Sequence, residues 1–319
     1  MTTKRDNTAT LDMTPWQGRT DPEPDSERWH QRIRPIEAGA APGTVLVGFA
    51  SDAGVARNQG RTGAAAGPAA IRRALAPLAW HRQGPAFDAG DVSCEGDALE
   101  AAQEALAARL APLLDGGHLP IVLGGGHEVA YASWSGLARH VAARESAPRI
   151  GIVNLDAHFD LRDPSQVRSS GTPFAQIAEQ CRARGWPFRY ACLGASRAAN
   201  TRALFRRAEE LDVLIREDRD FVPQRLDAIV RDLGRFAARC DHLYLTIDLD
   251  VLPAAEAPGV SAPAARGVSL ALLEPLIEVI RDSGKLRLAD LAELNPAYDI
   301  DNRTARAAAR LVHLLTLNG

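Results

Sequence analysis

Short runs that are apolar throughout, separated by Ala/Leu-rich stretches, constrain this chain more than any other feature. They fall at residues 44–50, 86–89, 120–123, 150–155, 190–193, 213–215, 243–247 and 286–291. A strand with one wet face alternates polar and apolar residues, whereas a strand covered on both faces is apolar throughout. Between the runs, Leu99, Ala102, Leu106, Leu110 and Leu113 recur at helical spacing, and Gly116-Gly117 supplies a stop. A further helix is predicted over 270–281 after Ser269, ending near Gly284. A last one starts at Asp301-Asn302, a good N-cap pair, and runs toward Leu317. This alternation predicts an α/β fold: a three-layer α/β/α sandwich with a mainly parallel sheet of about eight strands. In such folds, functional groups gather where the strands end at their carboxyl side.

The chain has 319 residues, enough for one large domain with a substantial core. Residues 1–33 are polar and rich in Pro, Asp and Thr, and read as an extension with little regular structure; residues 34–319 read as the main domain. Net charge is −3 with no Lys/Arg block, which gives no support for nucleic acid or an anionic membrane as partner. No apolar run reaches membrane-spanning length, and the polar N-terminus lacks the apolar stretch of a secretory signal. Cys94, Cys181, Cys192 and Cys240 are scattered without a CxxC pair, so they read as reduced thiols of a cytoplasmic protein.

Three of the apolar runs end in groups that favour metals. Ile150–Leu155 is followed by Asp156-Ala157-His158-Phe159-Asp160, whose polar residues are spaced by two and share one face of an extended backbone. The run at 243–247 leads into Asp248 and Asp250, and the run at 120–123 leads into Gly124-Gly125-Gly126-His127. Each element has an ordinary reading when taken singly. Asp156 suits a cap or turn, His158 a satisfied core position, the glycines a tight turn, and Asp248 and Asp250 a solvated strand end. Together they describe a binuclear metal site. Four carboxylates crowded together repel by several kcal/mol per close pair at an effective dielectric of ~20, and two divalent cations cancel them. Oxygen-rich ligands with imidazole and no thiolate suit Mn(II). Two such ions a few Å apart can share a hydroxide nucleophile. No GxxxxGK[ST] loop and no GxSxG elbow is present, which disfavours phosphate binding and serine hydrolase chemistry.

The set Gly124-Gly125-Gly126-His127-Glu128, Asp156-Ala157-His158-Phe159-Asp160 and Asp248-Leu249-Asp250 resembles the arginase and ureohydrolase family. The likeness extends to Gly60-Arg61-Thr62-Gly63-Ala64 and to Ala292-Glu293-Leu294-Asn295-Pro296. The resemblance implies an arginase-like fold with two Mn(II) per subunit. His127, Asp156, Asp160 and Asp248 would hold one ion; Asp156, His158, Asp248 and Asp250 would hold the other. Asp160 would also protonate the departing amine, and Glu293 would receive a cationic amidine or guanidine, whose parallel N–H donors suit a carboxylate. A loop or helix-start cap is the ordinary alternative for Glu293. The family also implies a homo-oligomer acting on a small molecule.

Arginases and agmatinases commonly place a histidine where this chain has Ser170, in Ser169-Ser170-Gly171-Thr172-Pro173-Phe174. That segment, and Trp16-Gln17-Gly18-Arg19-Thr20-Asp21, are similar to the formimidoylglutamase branch. This implies hydrolysis of N-formimidoyl-L-glutamate to L-glutamate and formamide, a step of histidine degradation. The alternatives are an agmatinase or guanidino-acid ureohydrolase that releases urea, a zinc deacetylase of related fold, and an inactive metal-binding scaffold. Two substrate carboxylates call for cations, since an arginine fork is bidentate. Arg61 and Arg197 are candidates and Arg19 a weaker one, each with an ordinary surface ion pair as its alternative. Ser170 joins Arg61, Arg197 and Glu293 as a substrate-contact candidate.

Overall fold

The structure, a computed structural model, describes residues 11–317. The stretch of the N-terminal extension before Leu11 lies outside them. The extension continues through turns to α1 (Trp29–Arg32) and β1 (Arg34–Pro35). Trp16 and Trp29 are buried, and Trp16 Nε1 donates to Asp88 at 2.7 Å. Asp88 is held from the other side by both arms of the buried Arg72. A charged pair taken out of water needs its lone pairs filled, and the indole supplies one of those bonds.

From there the chain alternates. In order come β2 (Thr44–Ala50), α2 (Ala53–Arg57), α3 (Gly67–Leu75), β3 (Ala86–Ser93), α4 (Leu99–Asp115), β4 (Leu119–Leu123), α5 (Val129–Ala142) and β5 (Ile150–Leu155). Next are α6 (Pro173–Arg184), β6 (Arg189–Ala195), α7 (Arg202–Glu210), β7 (Leu214–Glu217), α8 (Pro223–Ala238) and β8 (His242–Asp248). The chain closes with α9 (Leu270–Asp282), β9 (Leu286–Ala292) and α10 (Arg303–Thr316).

The strands form one nine-stranded sheet in the order β1-β3-β2-β4-β9-β8-β5-β6-β7, and every neighbouring pair is parallel. The expected sheet is therefore present with one strand more than about eight. The additional strand, β1, is two residues long, exposed and contains Pro35, so no apolar run marks it. Apolar clusters cover both faces: α3, α8, α9 and α10 pack on one, and α4, α5, α6 and α7 on the other. β9 is the last strand in the chain yet lies between β4 and β8 near the middle of the sheet.

Helix boundaries follow the sequence closely, with two differences. On α4, Leu114 rather than Leu113 completes the fully buried stripe. At α10, Asn302 has the N-cap position but makes no side-chain cap, because its backbone is left-handed with φ 55°. Asp299 does the capping instead, accepting from Thr304 N at 3.0 Å and Ala305 N at 3.1 Å.

Candidate metal centre

Four adjacent strands, β4, β9, β8 and β5, deliver the conspicuous acids and imidazoles at their carboxyl ends. The loop after β4 is clamped on both sides. Gly126 N donates to Ser51 O at 3.0 Å, and Gly125 O accepts from Glu293 N at 2.8 Å. A Cβ on Gly125 would stand 1.7 Å from Ser51 O, so only glycine allows this approach. The clamp sets His127 at the head of α5, where its N–H donates to Glu293 Oε1 at 2.8 Å.

The segment from Asp156 to Asp160 converges by a different route from the one expected. β5 ends at Leu155, and Asp160 adopts a left-handed backbone with φ 47°, so period-two extension does not align these side chains. A loop does so. His158 N donates to Asp156 Oδ1 at 2.6 Å, while Asn200 accepts from Phe159 N at 3.0 Å and donates to Ala157 O at 2.9 Å. Asp250 likewise sits in a single helical turn, Leu249–Val251, whose N–H bonds Asp248 Oδ1 at 2.9 Å. Asn200 was not visible as a site residue in the sequence, because an isolated asparagine carries no pattern.

The side chains form two groups that share Asp156. His127, Asp156, Asp160 and Asp248 offer ligand atoms all within 4.8 Å of one another, and so do Asp156, His158 and Asp250. His127 Nδ1 lies 3.1 Å from Asp156, 2.8 Å from Asp160 and 3.2 Å from Asp248. These approaches are close, yet none meets hydrogen-bond geometry, and Nδ1 is a buried atom without a hydrogen-bond partner. Asp250 Oδ1 is another. His158 Nδ1 faces Asp250 at 3.0 Å and Asp156 at 3.5 Å. Unpartnered donor atoms pointing inward from imidazole and carboxylate are what a hard or borderline divalent cation fills. The residues present therefore fit a metal pair.

The electrostatics agree. Burial opposes charge on His127, but Asp156, Asp160 and Asp248 overcome it and hold its pKa well above the ordinary range. The charge of Asp250, helped by Asp156, does the same for His158 against burial. Asp248 and Asp160 are raised by burial and by neighbouring acids. Asp250 is raised by burial, against the pull of His158. Asp156 alone is lowered: burial pushes it up, and the two histidines outweigh it. Protons on the imidazoles stand where cations would otherwise balance the acids.

A cavity of about 320 Å³ opens over the cluster. Glu293 forms part of its floor with a left-handed backbone, φ 69°, and an unpartnered Oε2. Burial, reinforced by the charge of Glu128, raises its pKa to about 8. Ser170 and Arg61 line the wall. The Arg61 guanidinium is engaged: it donates to the carbonyls of Ser261 and Val260 and lies 4.1 Å from the Tyr298 ring centroid.

Arg197 does not reach the cavity; it pairs with Glu217 and covers the Phe205 ring. Glu217 holds that cation because it lies beside it at the end of the neighbouring strand. Arg19 is exposed on the outside, paired with Asp21 at 2.7 Å. A cation the sequence did not single out takes the empty place. Arg162 lines the cavity, and its guanidinium has no hydrogen-bond or ion-pair partner among the described residues. Nothing in its sequence context separates it from a surface arginine.

A model of the arginase family matches residues 42–317 of this sequence. The chain belongs to the arginase family. Among its arginase-family relatives, the formimidoylglutamase of Aeromonas hydrophila is 62% identical over 310 residues, covering 96% of this chain and 98% of that one. A Trypanosoma cruzi formiminoglutamase, solved with manganese, is 27% identical with a TM-score of 0.76, covering 86% and 93%. The Bacillus subtilis formimidoylglutamase, 21% identical, shares the fold with a TM-score of 0.82 and 94% coverage of each chain.

Proposed function

We propose that this arginase-family chain is a binuclear manganese hydrolase that converts N-formimidoyl-L-glutamate and water to L-glutamate and formamide. One observation carries the reading. A single cavity joins the acid–imidazole cluster, a carboxylate with one unpartnered oxygen suited to an amidinium, and a guanidinium, unpaired among the described residues, suited to a carboxylate. That pattern matches a substrate cationic at one end and anionic at the other. The A. hydrophila relative's name, at 62% identity, supports the same substrate.

His127, Asp156, Asp160 and Asp248 would hold one ion, and Asp156, His158, Asp248 and Asp250 the other. When bound, such a pair polarises the substrate and lowers the pKa of water to near neutrality. Glu293 accepts the N–H donors of the amidinium and sets its planar carbon over the cluster, which converts binding into orientation. Ser170 closes the wall beside it with its N–H tied to Gly54 O at 3.1 Å. Arg162 draws the glutamate carboxylates toward the rim.

In the reaction, the oxygen of water bonds to the formimidoyl carbon, and the bond from that carbon to the glutamate nitrogen breaks with its electron pair on nitrogen. Asp160, at the cavity surface and 2.8 Å from His127 Nδ1, takes a proton from that water and delivers it to the leaving nitrogen. General acid help of this kind is typically worth about 10²–10⁴-fold. The family relation also supports a homo-oligomer in the cytoplasm. Among the described residues, no helix is long and apolar enough to cross a membrane.

The test is a substrate panel of formimidoylglutamate, arginine, agmatine and guanidinobutyrate, each with and without added Mn(II). Manganese-dependent formamide release from formimidoylglutamate alone is expected. Urea from a guanidino compound, with formimidoylglutamate untouched, overturns the substrate assignment.

A further inference from the structure

Seven non-glycine residues among those described hold a positive φ, and five of them are aspartate or asparagine. Short polar side chains of that kind tolerate the left-handed region, because they can bond to the backbone nearby. The two exceptions, Gln59 and Glu293, both line the cavity over the acid–imidazole cluster. A long side chain gains nothing locally from such a backbone, and an outlier of this sort is a pointer to function. Glu293 has its part on the cavity floor, at the cationic end of the substrate. Gln59, with φ 61°, stands at the other end.

Gln59 lies just past α2. Its N–H donates to Ala56 O and that of Gly60 donates to Val55 O, both at 2.9 Å. This pair of bonds closes a helix around one left-handed residue, which is usually glycine. Here the glycine comes one position later. A Cβ on Gly60 would stand 2.6 Å from Ser261 Oγ and 2.8 Å from Val55 Cγ1. Glycine is therefore present where space is short, and glutamine is kept where the backbone itself favours glycine.

The backbone of Gln59 is fastened, but its side chain is free. It is exposed, and its carboxamide makes no hydrogen bond among the described residues. Glu293 is buried, so one residue marks the floor of the cavity and the other its mouth. The mouth also holds Arg162. A Cβ built on Gly171 would lie 2.8 Å from Arg162 Cδ and 3.2 Å from Asn58 Oδ1, so the arginine and the residue before Gln59 meet across Gly171. A substrate whose amidinium rests on Glu293 leaves two carboxylates at this mouth. Arg162 answers one of them. A carboxamide brings two N–H donors to the second.

We propose that Gln59 is a substrate-contact residue that binds a carboxylate of the glutamate moiety beside Arg162, and so helps to select a substrate with a dianionic tail. The inference rests on the formimidoylglutamate reading and concerns the end of the cavity opposite Glu293.

The experiment is steady-state kinetics with formimidoylglutamate on manganese-loaded, full-length protein, with thermal melting and Mn(II) binding measured alongside, for wild type, Gln59→Gly, Gln59→Glu and Gln59→Lys. Glycine removes the carboxamide and suits the backbone. Gln59→Gly is thus expected to melt no lower than wild type, while KM rises about 3- to 10-fold and kcat holds, as for a contact made equally in ground and transition states. Glutamate keeps the length but repels a carboxylate, so Gln59→Glu is expected to raise KM about 10-fold or more. Lysine attracts one, so the KM of Gln59→Lys is expected to fall below that of Gln59→Gly. Mn(II) binding is expected to be the same in all four, since Gln59 is not part of the cluster.

An unchanged KM in Gln59→Gly overturns the proposal. So does a KM in Gln59→Glu at or below that of wild type, which would set the side chain against the cationic end instead. If Gln59→Gly melts lower than wild type, the charged pair decides: equal KM values in Gln59→Glu and Gln59→Lys overturn it. Wild-type protein that leaves formimidoylglutamate untouched would instead sink the substrate reading on which it rests.

Discussion

Asp160 and Glu293 both hold left-handed backbones, with φ 47° and 69°. Side chains other than glycine lose about 1–2 kcal/mol there, and such strain concentrates where structure is over-determined by function. Glu293 shows what that cost maintains. Its N–H and one carboxylate oxygen are tied to the glycine loop, which leaves Oε2 buried without a partner in a residue that lines the cavity. A hydrogen bond to a charged group is worth about 1.5–3 kcal/mol. Glu293→Gln is therefore expected to raise KM for an amidinium substrate roughly 10- to 100-fold; steady-state kinetics giving an unchanged KM would remove Glu293 from substrate binding. Charge at this centre also sets a pH dependence. Burial lifts Glu293 to about 8 and Glu128 to about 7, both far above their unfolded value of 4.5. His127, His158, Asp160, Asp248 and Asp250 are raised too. Between the unfolded and folded values the folded state holds more protons than the unfolded chain. Stability contributed by these groups is complete below the unfolded values and is lost as pH climbs through the folded ones. Metal-free protein is thus expected to melt at lower temperature near pH 9 than near pH 6, and Mn(II) to remove most of that slope, as followed by thermal denaturation. A metal-free melting temperature that rises across this window would contradict the charge arrangement.

At the scale of elements, the site depends on how loops leave strands. Gly125 is needed because Ser51 O leaves no room for a Cβ. Gly185, which ends α6, has φ 69° with nothing within 4 Å of a Cβ built on it. Gly125→Ala is expected to cost about 1–3 kcal/mol by overpacking and to weaken manganese uptake, because the displaced loop carries His127. Gly185→Ala is expected to cost about 1 kcal/mol through its backbone alone and to leave uptake intact. Chemical denaturation and metal titration of the two variants separate these effects. The same contrast explains how much of the molecule was readable beforehand. Runs apolar on both faces located most strands within a residue or two, since burial on both sides leaves a composition signature. The conspicuous acids and imidazoles were readable because three strands ended in them. Arg162 and Asn200 were not, because their surroundings come from loops brought together by the fold. Arg197 was misjudged for the same reason: its partner, Glu217, is 20 residues away.

For the molecule as a whole, the four strands that build the centre are neighbours in space but stretch from Leu119 to Ala292 along the chain. Cations that bind only the folded state stabilise it by mass action, about 2.7 kcal/mol at a hundredfold excess over Kd. Removal of metal with a chelator is expected to lower the melting temperature of the entire domain in one transition, and separate melting of two regions would contradict a shared core. The placement of β9 has a consequence for synthesis. While a ribosome is still short of Leu286, β4 and β8 each expose a bare edge, and the nascent sheet exists as two unjoined halves. A message truncated before that codon should yield a sticky, ion-indifferent product fit only for chaperones and proteases. The last strand to be translated is the keystone that shuts both edges at once.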